Sequence, residues 1–506
     1  MPSGIPAADW IAHHARYAPS AEAAYDLASG RRFTYAAFDE RVTRAALWLS
    51  RVNRIAHGDR IAVLSRNDTD LFELQFACQR LGAILVPLNW RLAEPELKFI
   101  CTDAGPKLLV YGLEFGDAAR GLSRGNAFGI ASLANGQPSE YESGLAEAAG
   151  SLTAAALDLT DTWMIMYTSG TTGRPKGARI TYRMCVFNAL HCAMMVGLTA
   201  RSKNLVVLPM FHTGGLNIYA NPAFHTGGAN VVLRDFDAGT FLDLLADKSL
   251  GITHLMGVPA NFSMLAQQPG FTAADFSHLQ CVGIGGSAAP PALIEAYGTR
   301  GIRLRQGWGM TETGPVGLLM PSEMALKKAG SCGLPPLHAQ LRICDADGME
   351  VARGETGELL IKGPNVTPGY WNLPEANREA FTADGWLRTG DAARQDEDGY
   401  YYIVDRWKDM FISGGENVYP AEIENVIAGL GAVLENAVVG VPHEKWGEVG
   451  RAFIVLKSGA SLDEAAVIDH CTNQLARYKV PRDIRFVDTL PHNATGKIAK
   501  RELPRD

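Results

Sequence analysis

The sequence contains no apolar run that approaches the roughly 18 residues needed to cross a bilayer as a helix. Its opening segment, MPSGIPAADWIAHHARYAPS, lacks the basic stretch and apolar core of a secretory signal. None of the eight cysteines forms a C-x-x-C pair. Because cysteines scattered in this way are typical of buried free thiols in a reducing compartment, we expect a cytoplasmic protein with no integral membrane segment.

An excess of basic charge is also missing. Lys and Arg total 47 against 54 Asp and Glu in 506 residues, which leaves a net charge of −7. This balance, without any basic run, argues against nucleic acid as a partner. Hydrophobic residues make up 47% of the chain. Because single cores stop growing near ~250–300 residues, we expect more than one domain.

Between residues 59 and 111, short apolar runs alternate with helical stretches. DRIAVLS, AILVPLN and KLLVYG are typical of buried strands. DLFELQFACQRLG, with Asn67 or Asp68 at its start and Gly82 at its end, and EPELKFICTDAG are typical of helices. This alternation predicts parallel β-α-β units, and it returns in NLVVLPM, ANVVLRD, ITHLMGV, LQCVGIGG and IRLRQGWG. Since open α/β sheets bind ligands at the carboxyl ends of their strands, several loops should converge on one site.

The pattern changes after about residue 330. AQLRICDADGMEV and GETGELLIKGPNVTPGYW are typical of hairpins with turns at DADG and RGETG, which predicts a small antiparallel β subdomain. YYYIV then ends in the charged cluster DRWKD, and helices alternate with strands from there on. We therefore predict a boundary at Asp405–Arg406, between an N-terminal domain over residues 1–404 and a C-terminal domain over residues 405–506.

The stretch YTSGTTGRPKG at 167–177 follows the apolar run WMIMY. Its glycines let backbone amides approach an anion closely, its hydroxyls add donors, and Lys176 adds a charge. Pro175 stands where a Walker A loop requires glycine, which counts against a P-loop kinase or ATPase. On composition, an ordinary Ser/Thr/Gly turn explains the stretch as well as phosphate binding does.

QGWGMTET at 306–313 follows another predicted strand. The Trp308 ring between two glycines can lie flat against a planar base. Thr311 can donate to a phosphate, and Glu312 can hold a hard cation such as Mg²⁺. Taken alone, a core Trp followed by a helix N-cap is the simpler interpretation.

Four further residues carry chemistry only if their neighbourhood supports it. Asp391, after GWLR, can bridge two ribose hydroxyls. Arg406 can reach ribose or phosphate, and Lys497 can bring a point charge to an oxyanion. His212, in LPMFHTGGL, can gate a pocket. Taken singly, they are better explained as a turn residue, a solvated charge cluster, a basic tail and a structural histidine.

In this order, the stretches resemble the adenylate-forming superfamily of acyl-CoA synthetases, peptide-synthetase adenylation domains and beetle luciferases. The resemblance runs from GRRFTYAAFDERV to TGKIAKREL and includes YTSGTTGRPKG, LPMFHTGG, GIGGSAAPP, QGWGMTETG, GELLIKGPNVTPGYW, GWLRTGD and YYIVDRWKDMFISGGENVYPAEIE. It implies an α/β fold: a large N-terminal domain of two parallel-type β-sheets with helices and a small antiparallel β subdomain, then a small mobile α+β C-terminal domain.

The resemblance also implies roles for individual positions. The residues that would bind ATP or AMP are Thr168, Ser169, Gly170, Thr171, Thr172, Gly173, Lys176, Ser287, Ala288, Gln306, Gly307, Trp308, Gly309, Met310, Asp391, Ile403 and Arg406. The family usually has Tyr where this chain has Trp308, a departure that keeps the flat face. Those that would act in catalysis are Lys497, Glu312, Thr311 and His212, with Glu312 as the metal ligand.

The remaining implied roles concern the hinge, the thiol and the acid. Asp405 and Lys408 would form the hinge. The CoA-binding loop would consist of Ser413, Gly414, Gly415 and Glu416. The acyl pocket would be lined by His212, Gly214, Gly215, Gly285 and Gly286.

The implied activity is that of an ATP-dependent, AMP-forming acid–CoA ligase that works in two steps through an acyl-adenylate. Its partners would be a small-molecule carboxylic acid, ATP, Mg²⁺ and CoA, and a homodimer is compatible with the sequence. No buried cation is evident for a second carboxylate, which favours an apolar fatty or aromatic acid such as a hydroxycinnamic or benzoic acid. Loading of a carrier protein is the alternative, although no carrier domain follows Lys497. A non-catalytic nucleotide sensor is disfavoured because both Glu312 and Lys497 are retained.

Overall fold

The structure is a computed structural model, and the residues that it describes are 4–124, 128–168, 175–407, 409–413, 416–444, 446–492 and 497–505, with the backbone alone at 416–417. The chain divides into two compact units. Unit 1 comprises Met1–Gln340 and Ile361–Leu387, and unit 2 comprises Leu341–Leu360 and Arg388–Asp506.

Unit 1 is an α/β unit. Its strands are β1 (Glu22–Asp26), β2 (Arg32–Thr34), β3 (Arg60–Leu64), β4 (Ile84–Pro87), β5 (Leu108–Gly112), β6 (Gly129–Leu133), β7 (Thr162–Thr168), β8 (Lys176–Thr181), β9 (Lys203–Val206), β10 (Ala229–Val232), β11 (His254–Gly257), β12 (Cys281–Ile284), β13 (Leu304–Gly309) and β14 (Val316–Leu319).

Its helices are α1 (Trp10–Tyr17), α2 (Tyr35–Arg51), α3 (Thr69–Leu81), α4 (Glu94–Ala104), α5 (Gly116–Ser123), α6 (Glu140–Glu147), α7 (Tyr182–Val196), α8 (Thr213–Leu216), α9 (Ala220–Thr226), α10 (Ala238–Ala246), α11 (Pro259–Ala266), α12 (Pro291–Gly298) and α13 (Pro374–Ala380).

The strands of unit 1 form two sheets that are parallel in their interiors. A six-stranded sheet has the order β6-β5-β3-β4-β7-β8, and an eight-stranded sheet has the order β14-β13-β12-β11-β9-β10-β1-β2. The strands β2, β8 and β14 at the sheet edges pair antiparallel with their neighbours. The predicted parallel β-α-β units are therefore confirmed.

The predicted helix after β3 shows why local sequence determines such elements. Asp68 is the N-cap of α3, and its side chain accepts from the Asp70 amide at 2.8 Å. Gly82 ends the helix in the left-handed conformation, with φ of 70°, which glycine adopts without the steric cost that a Cβ brings. The largest buried cluster packs α3 and α9 between the two sheets, with Phe72 and Phe76 against Phe224.

Unit 2 holds two smaller sheets. Its strands are β15 (Gln340–Cys344), β16 (Gly357–Lys362), β17 (Leu387–Gln395), β18 (Tyr401–Arg406), β19 (Phe411–Ser413), β20 (Glu416–Val418), β21 (Val433–His443), β22 (Gly447–Leu456) and β23 (Asp483–Phe486). The first sheet has the order β15-β16-β17-β18, and a few residues at its strand ends belong to unit 1. The second has the order β20-β19-β22-β21, with β23 beside β22. The helices α14 (Pro420–Ala428) and α15 (Glu464–Thr472) contribute to the core of the second sheet.

The predicted β subdomain is only partly as expected. The turn at DADG is present, since Val351 donates its amide to the Ile343 carbonyl at 3.0 Å. The expectation that GPNVTPGYW continues a hairpin is wrong. Residues 363–371 leave β16 and pair with β8 instead, where the Trp371 amide donates to the Gly177 carbonyl at 2.7 Å. Two prolines in the segment remove the amides that a return strand would need.

Candidate active site

The predicted phosphate-binding stretch connects two antiparallel strands. Thr168 ends β7 and Lys176 begins β8, and the two residues are paired, with the Thr168 hydroxyl 3.4 Å from the Lys176 carbonyl. The strand β8 was not expected from the sequence. The predicted phosphate-binding residues between the two strands, Ser169, Gly170, Thr171, Thr172 and Gly173, lie outside the described residues.

Glu312 lies in a 3₁₀ turn, Thr311–Thr313, that directly follows β13 and Met310. Both Thr311 and Glu312 are buried. The Tyr370 hydroxyl donates to Glu312 Oε1 at 2.8 Å, and the Thr367 amide donates to the Glu312 carbonyl at 2.8 Å. The segment that left the predicted hairpin therefore holds the carboxylate in place.

The same tyrosine contacts the lysine at the mouth of the hairpin. Lys176 Nζ lies 5.3 Å from the centre of the Tyr370 ring, within the range of a cation–π interaction. The structure thus brings Lys176 to the ring and Glu312 to the hydroxyl of one side chain. Tyr370 was quoted in the sequence motif but was not assigned a role, because nothing in the local pattern connects residues so far apart in the chain.

Trp308 lies near the end of β13 and is half-buried. Gly317 on the neighbouring strand β14 leaves room for the indole because it has no side chain: a Cβ at this position would lie 2.5 Å from the Trp308 ring. Gln306 is buried, and its amide donates to Cys332 Sγ at 3.4 Å. Gly307 and Gly309 complete this end of β13.

The segment after the neighbouring strand β12 carries the other residues predicted around adenine. β12 and β13 are parallel, with Ile284 opposite Gln306. A Cβ on Gly285 would come 2.9 Å from the Gly307 carbonyl oxygen, so the two segments approach closely. The next three residues, Gly286, Ser287 and Ala288, are exposed and available to a ligand.

Three of the residues predicted for the acyl pocket, His212, Gly214 and Gly215, lie at the start of α8. His212 is its N-cap, and His212 Nδ1 accepts from the Gly214 amide at 3.1 Å, which leaves Nε2 to carry the proton in the neutral ring. Gly215 lies directly against the backbone of Leu208 and Pro209. A small cavity is lined here by Gly214, Gly215 and by two residues that sequence reasoning missed, Tyr219 and Met256.

In unit 2, the predicted ribose-binding residues face each other across β17 and β18. Arg406 Nη1 donates to Asp391 Oδ1 at 2.7 Å, and the Asp391 amide donates to Thr389 Oγ1 at 3.1 Å. Asp391 is buried, whereas Arg406 is half-exposed. Ile403 is half-buried on β18, opposite Ala393.

Lys497 lies within electrostatic reach of this pair. Although its side chain is exposed, the protein around its ammonium lowers the pKa of Lys497 by desolvation, and the Arg406 charge lowers it further, while Asp391 raises it. These residues therefore form one charged group in unit 2, although up to 106 positions separate Asp391, Arg406 and Lys497 in the sequence.

Asp405, one of the two residues predicted for the hinge, is buried. Asp405 Oδ2 accepts from the Ala421 amide at 2.7 Å, at the first turn of α14, and Oδ1 accepts from the Arg406 amide. Burial raises the pKa of Asp405, and the nearby Lys500 ammonium opposes that shift. Lys500 in turn pairs with Glu424 at 2.8 Å.

The other positions predicted for the hinge and for CoA are described only in part. Ser413 is buried in β19, where its backbone pairs with that of Glu416 in β20. Lys408, Gly414 and Gly415 lie outside the described residues, as does the Glu416 side chain. Their roles stay predictions.

A protein-family profile described as AMP-binding enzyme matches residues 11–371, and one described as AMP-binding enzyme C-terminal domain matches residues 422–497. The chain belongs to the AMP-binding enzyme family. The predicted membership of the adenylate-forming superfamily, in its acid–CoA ligase branch, is therefore confirmed.

Relatives of this AMP-binding enzyme align over almost its whole length. It is 37% identical over 500 residues to the feruloyl-CoA synthase of an Amycolatopsis species, with 98% of both chains covered. It is 38% identical over 496 residues to the long-chain-fatty-acid–CoA ligase FadD13 of Mycobacterium tuberculosis, with 97% of both chains covered.

Solved structures of the family have the same fold. ATP-bound MatB from Rhodopseudomonas palustris matches with a TM-score of 0.89 at 32% identity over 98% of both chains. The o-succinylbenzoate CoA synthetase MenE from Bacillus subtilis, in complex with ATP and magnesium ion, matches with a TM-score of 0.88 at 30% identity over 98% of this chain and 99% of that chain. Within the described part of this AMP-binding enzyme, no helix combines the length and apolar character needed to cross a membrane.

Proposed function

We propose that the protein is an ATP-dependent, AMP-forming acid–CoA ligase that converts an apolar fatty or aromatic acid into its CoA thioester through an acyl-adenylate. The observation that carries the assignment to residues is the contact of Tyr370 with both Glu312 and Lys176, beside the hairpin predicted to bind phosphate. An anchored carboxylate and a lysine at such a hairpin suit the binding of a metal-bound polyphosphate.

In the first step the substrate carboxylate attacks the α-phosphate of ATP, and pyrophosphate leaves. Lys176 supplies positive charge to the phosphates, and Lys497 supplies it to the oxygens that gain charge during transfer. Desolvation, which lowers the pKa of Lys497, leaves its ammonium less stabilised by water and so more responsive to an anion in the site. The residues contribute positioning and charge rather than covalent chemistry.

Glu312 fits the role of a magnesium ligand. Magnesium is commonly held by one or two carboxylates together with substrate phosphates. No group of three or more His, Cys, Asp or Glu among the described residues is arranged to hold a metal ion. Bound Mg²⁺ would neutralise phosphate charge. The Tyr370 hydroxyl donates to Glu312 Oε1 and so orients the carboxylate.

Asp391 and Arg406 are proposed to bind the ribose. A carboxylate can accept from two vicinal hydroxyls, and Arg406 fixes its orientation from the adjacent strand. In the second step the C-terminal domain, with a boundary proposed at Asp405–Arg406, would turn about Lys408, withdraw Lys497 and present Gly414 and Gly415 to the thiol of CoA.

A carrier protein is the alternative acyl acceptor. One relative, 35% identical over 507 residues, is the fatty acid–[acyl-carrier-protein] ligase ScoC of Streptomyces coeruleorubidus. CoA is the preferred acceptor because the relatives named as feruloyl, indoleacetate and long-chain fatty acid ligases use it.

The test separates the two half-reactions. Purified protein is given ATP, Mg²⁺ and CoA with fatty, benzoic and cinnamic acids, and AMP and thioester are scored together. We expect both products with at least one acid. AMP without thioester would favour the carrier-protein alternative. The absence of both AMP and thioester with every acid would overturn the proposal.

Lys497→Ala sharpens the same test. The variant should lose adenylate formation by at least ~100-fold yet still convert a supplied acyl-adenylate to thioester, because Lys497 contributes charge only to the first step. Lys457→Ala, which removes another lysine of unit 2 that contacts the Gly431 carbonyl, is the matched control and should keep both steps. Equal loss of both steps in Lys497→Ala would contradict the assignment of Lys497.

A further inference from the structure

Met256 is exposed in part although its strand is central. β11 pairs with β12 on one side and with β9 on the other. The residues of β11 on either side of Met256 are buried, whereas Met256 is half-buried and lines the cavity beside α8. Its side chain therefore packs on a small buried cluster that includes Tyr219 and Cys281, and part of it is left exposed beside the cavity.

Gly283 on the adjacent strand β12 and Gly285 directly after that strand make room for this methionine. A Cβ on Gly283 would come 2.7 Å from Met256 Sδ, and a Cβ on Gly285 would come 2.9 Å from Met256 Cε. The two glycines are two residues apart, so they share one face of the chain and are separated by about 7 Å. Gly285 is nearer the carboxyl end of the strand, where the nucleotide residues are predicted, and Gly283 lies deeper.

Tyr219 reaches the deeper of these glycines. A Cβ on Gly283 would come 2.8 Å from the Tyr219 hydroxyl. Tyr219 is almost fully buried, and its hydroxyl is 3.7 Å from Cys281 Sγ, a weak hydrogen-bond partner. The Tyr219 hydroxyl thus lies beside Gly283, at the inner end of the surface that Met256 and the two glycines form.

A buried cation that was not evident from the sequence, Arg305, lies near the Tyr219 phenol. Arg305 Nη1 is 3.6 Å from the same Cys281 sulfur, and its other nitrogens donate to the carbonyls of Met195 at 2.7 Å and Met320 at 2.8 Å. These contacts neutralise none of its charge, because the carbonyls and the thiol are uncharged. The positive field makes the Tyr219 hydroxyl a better donor toward an oxygen atom of a ligand.

The cavity itself is about 10 Å³, room for about one water molecule, and Met256 is part of its lining. Because Met256 Sδ and Cε lie beside Gly283 and Gly285, an acid that extends past Gly285 toward Gly283 can enter only if Met256 moves. Methionine is flexible enough to adapt to a flat ring, but a long chain would require its displacement together with Tyr219.

On the basis of the function proposed above, we infer that Met256 and Tyr219 determine which acid the enzyme takes. Met256 limits the depth of the acyl pocket, and the Tyr219 hydroxyl binds an oxygen substituent at the far end of an aromatic acid. The substrate class is a ring-sized acid with a distal hydroxyl or ether oxygen, in preference to a long unbranched fatty acid.

The test compares cinnamic, 4-hydroxycinnamic and dodecanoic acids by kcat/KM for thioester formation. The unaltered enzyme should prefer 4-hydroxycinnamic acid to both of the others by about 10-fold or more, because a site that binds a hydroxyl discriminates against the analogue that lacks it. Tyr219→Phe should lower kcat/KM for 4-hydroxycinnamic acid about 10-fold and leave cinnamic acid unchanged. Met256→Ala should raise the value for dodecanoic acid about 10-fold.

Matched controls separate specificity from folding. Tyr297→Phe removes another buried hydroxyl of unit 1, one that donates to the Phe262 carbonyl at 2.7 Å, and Met264→Ala shortens an exposed methionine. Both should preserve the ratios between acids. AMP formation by the unaltered protein with ratios unmoved by Tyr219→Phe and Met256→Ala would overturn this inference alone. No AMP from any acid would overturn the proposed function with it.

Discussion

Tyr370 is the residue that most changes the interpretation of the site. Its hydroxyl holds Glu312 Oε1 at 2.8 Å, and its ring contacts Lys176. Hydrogen bonds to charged groups contribute more than neutral ones, about 1.5–3 kcal/mol. A carboxylate fixed in this way need not lose conformational freedom when it takes up a cation, so we propose that Tyr370 acts as a positioning residue for Glu312.

We predict that Tyr370→Phe lowers kcat/KM for adenylate formation about 10-fold and raises the Mg²⁺ concentration needed for half-maximal rate, since the fixed orientation of Glu312 is lost. Pyrophosphate release measured across a magnesium titration checks this. Tyr402→Phe, which removes a hydroxyl bonded to Asp396 at 3.2 Å in unit 2, is the control. A fall in rate with an unaltered magnesium requirement would argue against the role.

At the scale of single elements, the start of α3 concentrates buried charge. Asp68 caps the helix, and Arg31 lies 3.4 Å and Arg234 3.5 Å from its carboxylate oxygens. Burial and the neighbouring Asp26 raise the pKa of Asp68 to about 7, against the opposing effects of both arginines and of the Asp70 amide. The helix is therefore capped by a carboxylate that is costly to ionise.

The sign of the pH dependence follows. Between the usual pKa of 3.8 and about 7, the folded protein binds more protons at Asp68 than the unfolded chain does, so raising the pH through this window lowers the free energy of unfolding. We expect the thermal midpoint to fall from pH 5 to pH 7.5. Asp68→Asn, which keeps the cap, should flatten that profile.

Asp117→Asn, at a fully exposed aspartate of α5, serves as the control and should leave the profile as it is. A profile that Asp68→Asn does not alter would place the pH dependence in other groups of the cluster.

At the scale of the whole molecule, the chain forms two compact units whose boundaries do not follow the sequence. Residues Leu341–Leu360 group with Arg388–Asp506, because strands from both ranges pair in the sheet β15-β16-β17-β18. The domain boundary predicted at Asp405–Arg406 stays a prediction for the hinge. Within unit 2, Lys500 and Glu424 link the segment after Lys497 to α14, and Glu424 also accepts from the Val438 amide at 2.6 Å.

We predict that Lys500→Met destabilises unit 2 by about 2 kcal/mol and leaves unit 1 unaffected, because Glu424 loses its counter-ion in a largely buried place. The partial exposure of the Glu424 side chain reduces the energetic cost of this loss. Hydrogen exchange of β21 and β22 amides against those of β3 and β5 measures the difference. Lys479→Met breaks a pair with Glu422, which lies on α14 as Glu424 does. This substitution should destabilise unit 2 less, since Glu422 is more exposed than Glu424. Equal effects in both units would contradict an independent role for this pair.

The sequence by itself determined the elements and the family. The helix after β3 was predictable because its cap, its end and its apolar spacing all lie within one short stretch, and the parallel strands were predictable because runs of buried residues need no partner to be recognised. The order of the motifs predicted the superfamily, the roles of Glu312 and Lys497, and the nucleotide. The edge strand β8 was missed because Lys176, Gly177 and Arg179 interrupt its apolar pattern.

Only the tertiary structure decided which side chains meet. Tyr370 reaches Glu312 because residues 363–371 cross to β8, and Tyr219 and Met256 meet at Gly283 because three separate segments pack at one point of a sheet. Contacts of this kind depend on how layers pack, and packing sums many weak interactions between segments far apart in the chain. Periodicity and local motifs do not report such packing, so the contact of Tyr219 and Met256 at Gly283 could be found only in the folded molecule.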